Sequence, residues 1–593
     1  MCAIAGAYAH KGGGVDRIEL LRVRDAMQAR GPDGSGIWFS ADARVGLAHR
    51  RLAILDLSDA GMQPMTRDAL TIVFNGEIYN FRELRSELIG LGRVFSSHSD
   101  TEVILAMWQQ YGPAMLPRLR GMFAFALWDS ESQRLFLARD PLGIKPLYWA
   151  DNDGTFRFAS QVKALLHAPV DKSPEAAGHA GLFLWGSVPE PWTLYRGIQA
   201  LPAGHWMCID QRGRSAPLAY VNLAEMLGRV HGADMSEKEV LPQIATALRD
   251  SVGAHLESDV PVGVFLSAGL DSTMIAALVA ERHHPLVTTT LAFDTLRGTP
   301  ADESQLAARV AGQLGAQHEL HWIAREDFVS ERARILDSMD QPSIDGVNTW
   351  FVARAASRQG LKVALSGLGG DELLGSYPSF TDVPRIVARF GTAARIQGLG
   401  KAFRIASASL LRSLSSPKYA GLIEYGGSLG DAYLLRRGLY MPWELPSVLD
   451  PDMAREGWNR LHTRKALAAT AAISGPARMA VSALEMSWYM RNQLLRDADW
   501  AGMAHSLEIR VPLVDWSLIE KSAPLLAAHP MISKSQVARA AAPRLPSELF
   551  DRRKTGFSVP VNEWMTGERV RGGMGMRAWA GHVHTQFTQG RLP

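Results

Sequence analysis

Short apolar runs separated by amphipathic stretches organise both halves of the chain. In the first half, the runs at residues 70–74 and 121–128 predict strands that are buried in a core. The stretch that follows Asn80 repeats apolar side chains at helical spacing, which predicts a helix between those two strands. In the second half, apolar runs alternate with helical stretches, and this alternation predicts a parallel α/β sheet. The predicted strands of that sheet are residues 262–266, 288–293, 318–322 and 362–365.

The turn after the first of these parallel strands is a candidate anion site. Three small residues, Ser267 to Gly269, separate the strand from a helix that Asp271 and Ser272 open. Free backbone N–H groups and the positive end of the helix dipole meet at such a turn and favour a phosphate. No Gly-Lys-Ser/Thr follows the turn, so it does not fit the P-loop pattern. A plain strand–turn–helix corner without a ligand is the alternative.

A second turn of this kind, at residues 366–372, is rich in glycine and contains Asp371. Because turns that follow parallel strands lie at the same edge of a sheet, we expect Asp371 to lie near Asp271. Magnesium favours one or two carboxylates together with phosphate oxygens and water. The two aspartates are therefore the candidate Mg²⁺ ligands.

Composition narrows the class of protein. Hydrophobic residues make up 47% of the chain and charged residues 21%, which is typical of a globular protein. The 63 Lys and Arg nearly balance the 60 Asp and Glu, so we expect no nucleic-acid partner. No apolar run approaches the ~20 residues of a membrane span, so we also expect no membrane partner. The chain contains only Cys2 and Cys208 and shows no signal peptide, so we expect a cytoplasmic protein without disulfides.

Cys2 is a candidate nucleophile. Removal of Met1 would place a thiol and an α-amine on the same residue. An α-amine has a pKa of about 7.7–8.0, so its neutral form can take the thiol proton near pH 7. The thiolate is the form that attacks a carbonyl carbon. The alternative is that Cys2 is a small apolar residue at the start of a buried strand.

Several motifs follow Cys2 in a fixed order. They are RGPDG at 30–34, HRRLAILD at 49–56, NGEIYN at 75–80, HSD at 98–100, GMFAFALWD at 121–129 and ARDPLGIKPLYW at 138–149. Together they resemble the glutaminase domain of class II glutamine amidotransferases, which are N-terminal-nucleophile hydrolases. The resemblance implies an α+β domain built as an αββα sandwich, in which Cys2 attacks the side-chain amide of glutamine and ammonia is released.

The same resemblance implies roles for other residues. The Asn75 side chain and the Gly76 N–H would form an oxyanion hole, and loss of one such donor typically costs ~10²–10³ in rate. Arg51 would pair with the α-carboxylate of glutamine. Asp100, with Glu77 nearby, would hold the α-ammonium, although capping its own helix is the alternative role for Asp100. The implied glutamine-binding residues are Arg51, Leu52, Ile54, Asn75, Gly76, Glu77 and Asp100.

The second half resembles the synthetase domain of the glutamine-hydrolysing type B asparagine synthetases. The sequence SAGLDS at 267–272 is similar to the pyrophosphate loop of ATP pyrophosphatases, residues 494–503 and 506–515 to the helical part of the synthetases, and RRKTGF at 552–557 to their lysine loop. This implies an α/β ATP-pyrophosphatase domain with added helices, in which Lys554 stabilises charge on the α-phosphate of ATP. A basic triplet on a solvated face is the alternative for the lysine loop. The implied ATP-binding residues are Leu266, Ser267, Gly269, Asp271, Ser272, Phe293, Ser366, Gly367 and Asp371, of which Asp271 and Asp371 would bind Mg²⁺.

The two resemblances cover about residues 1–565 and imply ligation in two steps, linked by an ammonia passage. A carboxylate attacks ATP to give an acyl-adenylate, and ammonia then displaces AMP. The expected domains are the glutaminase domain (1–210), a linker (211–237), the synthetase domain (238–565) and a loosely ordered C-terminal tail (566–593). The chain alone leaves open whether it forms a homodimer.

Three departures from the family pattern bear on the amide acceptor and on coupling. Leu368 stands where asparagine synthetases carry a glutamate, Ala268 replaces a glycine, and Gln161 replaces a glutamate near the expected domain interface. Residues 340–349 are more polar than expected for an aspartate site. Aspartate is therefore one acceptor hypothesis, and another carboxylic acid, such as a sugar uronate, a peptide acid or a secondary metabolite, is the second. A non-ligating regulatory or binding protein is the third, and the intact set of candidate site residues argues against it.

Overall fold

The structure is a computed structural model that describes residues 2–228, 235–282, 285–414, 417–551, 563–564 and 574–589. For residues 408–414 and 574 it describes the backbone alone. Within these ranges, every helix is too short or too polar to cross a lipid bilayer.

The first domain contains two antiparallel sheets. In one sheet, Ala3–Ala9 pairs with Val45–Arg51 on one side and with Thr155–Ala159 on the other. In the second sheet, Gly121–Asp129 lies between Leu70–Ile78 and Arg134–Arg139. In spatial order, the first sheet comprises Gln199–Ala200, Tyr148–Asn152, Thr155–Ala159, Ala3–Ala9, Val45–Arg51 and Gly34–Phe39. The second comprises Gly213–Arg214, His205–Asp210, Arg134–Arg139, Gly121–Asp129, Leu70–Ile78 and Met65–Arg67, with Leu218–Ala219 paired to His205–Asp210.

Alternating side chains of these strands explain how the sheets stack. Ile4 and Tyr8 of the first sheet share one buried cluster with Val73 and Trp128 of the second, so the facing sides of the sheets form a common core. The opposite faces are covered by helices: Arg17–Asp25, Val162–Leu165 and Ala176–Trp185 on the first sheet, and Phe81–Gly90 and Asp100–Tyr111 on the second. This arrangement confirms the expected αββα sandwich.

The second domain contains a five-stranded parallel sheet. Its spatial order is Gln317–Ile323, Val287–Phe293, Val262–Phe265, Val363–Leu365 and Glu508–Arg510. The four predicted strands are all present, with ends that differ by one residue or less. The fifth strand, Glu508–Arg510, was not predicted, because two of its three residues are charged and give no apolar signal.

Helices surround this sheet and extend beyond it. The helix that follows Val262–Phe265 is Leu270–Glu281, which begins at the predicted anion turn. The other helices outside the first domain are Leu223–Gly228, Glu237–His255, Ser304–Gln313, Arg325–Ser338, Val347–Arg358, Gly370–Leu374, Ser379–Ala394, Leu399–Leu414, Leu422–Tyr425, Leu429–Arg437, Pro451–Leu461, Thr463–Ala471, Ala477–Leu484, Glu485–Leu495, Arg496–Met503, Trp516–Ala528, Lys534–Ala541, Ser547–Asp551 and Met574–Gln589.

The last of these helices corrects one expectation. A loosely ordered tail was predicted from residue 566 on, but Met574–Gln589 is a helix whose Trp579, Ala580 and Val583 are buried. Trp579 packs near Phe328, with the ring centroids 6.1 Å apart. The Gly, Arg and His content of this segment hid apolar side chains that pack against Phe328 of the second domain, and the same helix also contacts Phe183 of the first.

The two domains meet through a buried apolar cluster. Leu52 and Met122 of the first domain belong to the same cluster as Leu495 and Val511 of the second. A continuous helical segment from Ala477 to Met503 runs along this interface, and its Glu485–Leu495 part is π-helical. Such π segments are rare and often lie at functional sites.

Candidate active sites

Cys2 lies directly before the strand Ala3–Ala9 and is held from the neighbouring sheet. Its backbone N–H donates to Asn75 Oδ1 at 3.0 Å, and its Sγ lies 4.0 Å from the carbonyl oxygen of Leu52. Burial raises the pKa of the Cys2 thiol, so thiolate formation requires a nearby base. The nitrogen that Asn75 holds is the one that becomes the α-amine once Met1 is removed.

Asn75 and Gly76 lie within the strand Leu70–Ile78. Asn75 is fully buried, and its Nδ2 has no hydrogen-bond partner among the described residues. A buried amide donor without a partner indicates a polar ligand, because leaving it unpaired is costly. Gly76 has a different constraint, since a Cβ there would collide with the backbone carbonyl of Met122 on the adjacent strand.

Arg51 and Arg50, which are adjacent in sequence, are used differently. Arg51 is buried and donates from Nη1 to the Ser58 carbonyl at 2.9 Å and from Nη2 to the Asp56 carbonyl. Arg50 instead forms an ion pair with Asp25 at 3.0 Å, on the helix side of its sheet. The buried guanidinium is thus that of Arg51, the predicted glutamine ligand, and the adjoining Leu52 and Ile54 are buried as well.

Asp100 begins the helix Asp100–Tyr111 but is not its side-chain cap. The Ser99 hydroxyl accepts from the Thr101 N–H at 3.1 Å and caps the helix. Asp100 Oδ2 instead accepts from the Ile78 N–H at 3.0 Å, one residue beyond Glu77. Burial raises the pKa of Asp100 to about 6. A carboxyl that resists ionisation in this way is stabilised when a cation such as an α-ammonium lies beside it.

Glu77 faces the second domain. Its Oε1 lies 3.5 Å from Arg510 Nη2, while its Oε2 has no hydrogen-bond partner among the described residues. Burial raises the pKa of Glu77 well above its usual value, and the neighbouring Glu508 raises it further. Arg510 itself is fully buried and is held by Glu508 and by two backbone carbonyls. One of the two carboxylates predicted to hold the α-ammonium therefore lies beside a cation from the second domain.

The predicted anion turn has the expected form in the second domain. The strand Val262–Phe265 leads into a turn that is fixed by hydrogen bonds between Ser267 and Ser272. The Ser267 N–H donates to Ser272 Oγ at 3.1 Å, and the Gly269 N–H donates to Ser267 Oγ at 3.1 Å. The helix Leu270–Glu281 then begins at this turn. Its N-terminus, which carries the positive end of the helix dipole, faces the cavity described below.

Asp271 and Asp371 lie together, as predicted, and share one cation. Lys534 Nζ donates to Asp371 Oδ1 at 2.6 Å and also pairs with Asp271 Oδ2. Burial lowers the pKa of Lys534, but the two carboxylates outweigh this effect and raise it overall. The close approach depends on Gly370, where a Cβ would collide with the Asp271 carboxylate.

A cavity of about 800 Å³ surrounds these groups at the carboxyl ends of the strands. Asn348 and Thr349 line it, as do Arg478 and Lys534. Asp340 does not line the cavity, although it belongs to the segment 340–349 whose polarity raised the question of the acceptor. The predicted residues that line the cavity are Leu266, Ser267, Gly269, Asp271, Ser272, Ser366, Gly367, Leu368 and Asp371.

Two predicted ATP-site residues are not placed in the cavity. Phe293 is buried outside the lining, with its ring 5.8 Å from that of Trp564, and its contact with adenosine stays a prediction. Lys554 and the rest of the lysine loop lie outside the described residues.

Comparisons with known proteins agree with both halves of this geometry. Residues 1–220 match a glutamine amidotransferase domain, and residues 243–576 match the asparagine synthase family. The chain belongs to the glutamine-hydrolysing asparagine synthetase family. It is 34% identical to a putative asparagine synthetase of Mycobacterium bovis over 92% of this chain and 84% of that protein. It is 31% identical to asparagine synthetase 1 of Bacillus subtilis, over 93% and 86%, and 36% identical to asparagine synthetase B of Escherichia coli, over 65% and 66%.

Membership of this asparagine synthetase family makes the chain a glutamine-hydrolysing amide ligase. The structure adds positioning groups that sequence reasoning missed. Arg30 donates from Nε to the Cys2 carbonyl at 3.3 Å and forms a two-point ion pair with Asp499, at 2.6 and 2.9 Å. The sequence alone indicates Arg30 only as part of the motif RGPDG and gives no indication of Lys534, because no local pattern connects either residue with its partners.

The replacement Gln161 lies at the interface of this synthetase, where it precedes the short helix Val162–Leu165. The Gln161 side chain makes no capping hydrogen bond to that helix. Asp340 of the second domain does so instead, accepting from the Val162 and Lys163 N–H groups at 2.9 Å each. The polar character of residues 340–349 is thus explained in part by interface capping rather than by acceptor binding.

Proposed function

We propose that this protein makes asparagine from aspartate, using ammonia from glutamine and releasing AMP and pyrophosphate. The observation that carries the proposal is the pairing of Asp271 and Asp371 around one cation in the large cavity of the synthetase domain. This arrangement suits a nucleotide triphosphate with its metal, and the first domain supplies a matching glutamine site. Family membership already makes the chain an amide ligase, so what is proposed is that aspartate is the acceptor and that individual residues have the roles given below.

The first site would begin with the neutral α-amine of processed Cys2, which removes the thiol proton. The thiolate attacks the glutamine amide carbon, and the oxyanion receives hydrogen bonds from Asn75 Nδ2 and the Gly76 N–H. The unpaired state of Asn75 Nδ2 supports this role. Arg51 would neutralise the α-carboxylate, and Asp100 and Glu77 would hold the α-ammonium.

Ammonia would then cross the domain interface. The buried cluster that joins Leu52 and Met122 to Leu495 and Val511 is apolar, and it excludes the water that would protonate ammonia. The cluster extends from Leu52, whose carbonyl lies beside Cys2 Sγ, to Leu495. The adjacent residue, Leu494, lines the synthetase cavity. This continuity supports an internal passage rather than release to solvent.

In the second site, the Ser267–Ser272 turn and the helix N-terminus would bind the departing pyrophosphate of ATP. Asp271 and Asp371 would hold Mg²⁺, which when bound offsets negative charge on the phosphates. The shared contact with Lys534 shows that both carboxylates can face a single positive charge. Lys534 would then turn to phosphate oxygens, and Lys554 would stabilise charge at the α-phosphate.

Amidation of a different carboxylic acid is the second candidate, and Leu368 favours it. Leu368 lines the cavity where related enzymes have a glutamate, so the wall carries an apolar group in place of a charge. An apolar wall suits an acceptor with a less polar body than aspartate. Asn348 and Thr349 remain as polar groups that could orient an acceptor carboxylate.

The first test is product analysis with ATP, Mg²⁺, amide-¹⁵N glutamine and aspartate. Labelled asparagine, formed with AMP and pyrophosphate above the enzyme-free rate, is the expected result. Cys2→Ala should abolish turnover with glutamine but retain it with added ammonia, whereas Cys208→Ala, the matched control, should retain both. Glutamate release without asparagine would contradict aspartate as acceptor and move the search to other acids, with Leu368→Glu as the variant expected to restore aspartate use.

A further inference from the structure

A helical hairpin of the second domain carries an unusual concentration of positive charge. Its helices, Ser379–Ala394 and Leu399–Leu414, are joined by a short turn. Between Val383 and Lys418 the sequence contains seven Lys and Arg and no Asp or Glu. The whole chain has a net charge of +3, so the rest of the chain, without this segment, has a net charge of −4.

The first half of the second helix, residues 399–407, exposes large apolar side chains. Gly400 is buried, with its Cα side against the backbone of Glu424, and Arg404 Nε pairs with the Glu424 carboxylate at 2.6 Å. Among residues 399–407, whose side chains the structure describes, Gly400 and Arg404 thus face the protein. The outward side presents Phe403, which is 37% exposed, and Ile405, which is 64% exposed. This is the reverse of the pattern expected for a helix on a globular surface.

Apolar exposure is concentrated at this place. The described residues contain twelve exposed large hydrophobic side chains, and four of them fall within ten positions of the hairpin. Scattered single exposures need no explanation, but a cluster of this kind indicates an interaction surface. The four are Ile396, Leu399, Phe403 and Ile405.

Exposed cations surround these side chains. Arg385, Arg389, Arg395 and Lys401 are exposed, and none forms an ion pair with a carboxylate among the described residues. A basic amphipathic helix with this composition binds at a lipid surface, where cations meet phosphates and apolar groups enter the acyl boundary. We propose that the hairpin Ser379–Leu414 docks this enzyme on an anionic membrane surface, with Ile396, Leu399, Phe403 and Ile405 inserted.

The charge pattern argues for lipid over a second copy of the chain. A self-complementary contact through this face would place the four unpaired cations close to their own copies, with no carboxylate in the segment to offset them. The proposed contact lies on the membrane and does not span it. It revises the expectation of no membrane partner, which was based only on the lack of a spanning segment.

The test is co-sedimentation of the full chain with two kinds of vesicles, one of phosphatidylcholine alone and one of equal parts phosphatidylcholine and phosphatidylglycerol. We expect at least ~20-fold tighter partitioning onto the anionic vesicles, because each basic residue near such a surface contributes about fivefold. Raising the salt concentration should weaken this partitioning.

Two double variants separate the charge from the apolar contribution. Arg395→Glu with Lys401→Glu should lose at least ~20-fold in partitioning onto the anionic vesicles. Phe403→Ser with Ile405→Ser should retain a weak attraction that high salt abolishes. Val94→Ser with Arg212→Glu, which changes one exposed apolar and one exposed basic side chain elsewhere, is the control and should partition as the unmodified enzyme does.

The ligation rate without vesicles should be the same in all variants, which shows that each is folded. Equal binding to both vesicle types, or unchanged binding of the Arg395→Glu, Lys401→Glu variant, would overturn the proposal. So would a concentration-dependent dimer that the Phe403→Ser, Ile405→Ser variant loses while neither vesicle type binds, because the occupant would then be a second copy.

Discussion

Replacement of Asp499 by asparagine tests how far the glutaminase site depends on the synthetase domain. Arg30 is buried and forms two hydrogen bonds with the Asp499 carboxylate, at 2.6 and 2.9 Å. The same guanidinium holds the Cys2 carbonyl at 3.3 Å. Asp499→Asn keeps the shape of the side chain but removes its charge, so the Arg30 cation is left buried without its counter-ion.

The expected cost follows from the burial of this pair. Removing one member of a buried ion pair costs about 3–5 kcal/mol, because the remaining charge stays out of water. Asparagine still offers one acceptor oxygen, so we expect a loss of about 3 kcal/mol in the free energy of unfolding. The matched control is Asp431→Asn. Asp431 also forms a two-point pair, with Arg464 at 2.7 Å for both bonds, but that arginine is 49% exposed. An exposed pair contributes about 1 kcal/mol or less.

The assay combines stability with activity. Urea unfolding gives the loss of stability for Asp499→Asn and for Asp431→Asn under identical conditions. Steady-state rates with glutamine and with ammonia give the effect on the first site, since only the glutamine reaction needs Cys2. We expect Asp499→Asn to lower the glutamine-dependent rate more than the ammonia-dependent rate, because Arg30 loses its fixed position beside Cys2.

A double variant completes the reasoning. Arg30→Met with Asp499→Leu removes both charges, so it should recover much of the stability that Asp499→Asn loses, while the glutamine-dependent rate stays low. The reasoning is refuted if Asp499→Asn destabilises the protein no more than Asp431→Asn does. It is also refuted if the glutamine and ammonia rates fall in equal proportion.

Three further predictions concern single positions. Gly76→Ala should reduce glutamine hydrolysis at least ~100-fold and lower the thermal midpoint, because the new Cβ collides with the Met122 carbonyl; unchanged hydrolysis by purified protein would contradict this. Lys534→Met should abolish aspartate-dependent pyrophosphate release and leave glutamine hydrolysis intact, and pyrophosphate measurement against the Lys521→Met control decides it. The pKa of Asp100 is raised to about 6, so its carboxylate form is lost as the pH falls through 6. The KM for glutamine should therefore rise roughly tenfold per pH unit below 6 and stay level from pH 7 to 8, and a flat profile in Asp100→Asn is the control.

The sequence predicts the elements that have a periodic apolar signal. The strands Val262–Phe265 and Val363–Leu365 are apolar throughout, and the turns after them end in the two aspartates, so both the sheet and the pairing of Asp271 with Asp371 were predictable. Parallel topology supplied the step from separate turns to one site, since it places the carboxyl ends of strands together.

The parts that were missed lack such a signal. Glu508–Arg510 is buried although two of its residues are charged, because Arg510 donates to Glu508 on the same face of the strand and to two backbone carbonyls. Lys534 lies 263 residues from Asp271, and only the folded chain brings the two together. Long-range pairs of this kind leave no periodic trace, so a single sequence does not show them.

Ion pairs across the domain interface connect residues near the glutaminase site with residues of the synthetase domain. Arg30 and Glu77 both belong to the glutaminase fold, yet their charged partners, Asp499 and Arg510, belong to the synthetase fold. Arg30 depends on Asp499 of the other domain for its compensation, whereas Arg510, which also pairs with Glu508 on its own strand, is the cation beside Glu77. A movement of the synthetase domain that displaced Asp499 or Arg510 would therefore change the support of Cys2 and the charge at the proposed ammonium site. We therefore expect these contacts to couple the two reactions electrostatically, in addition to any passage for ammonia.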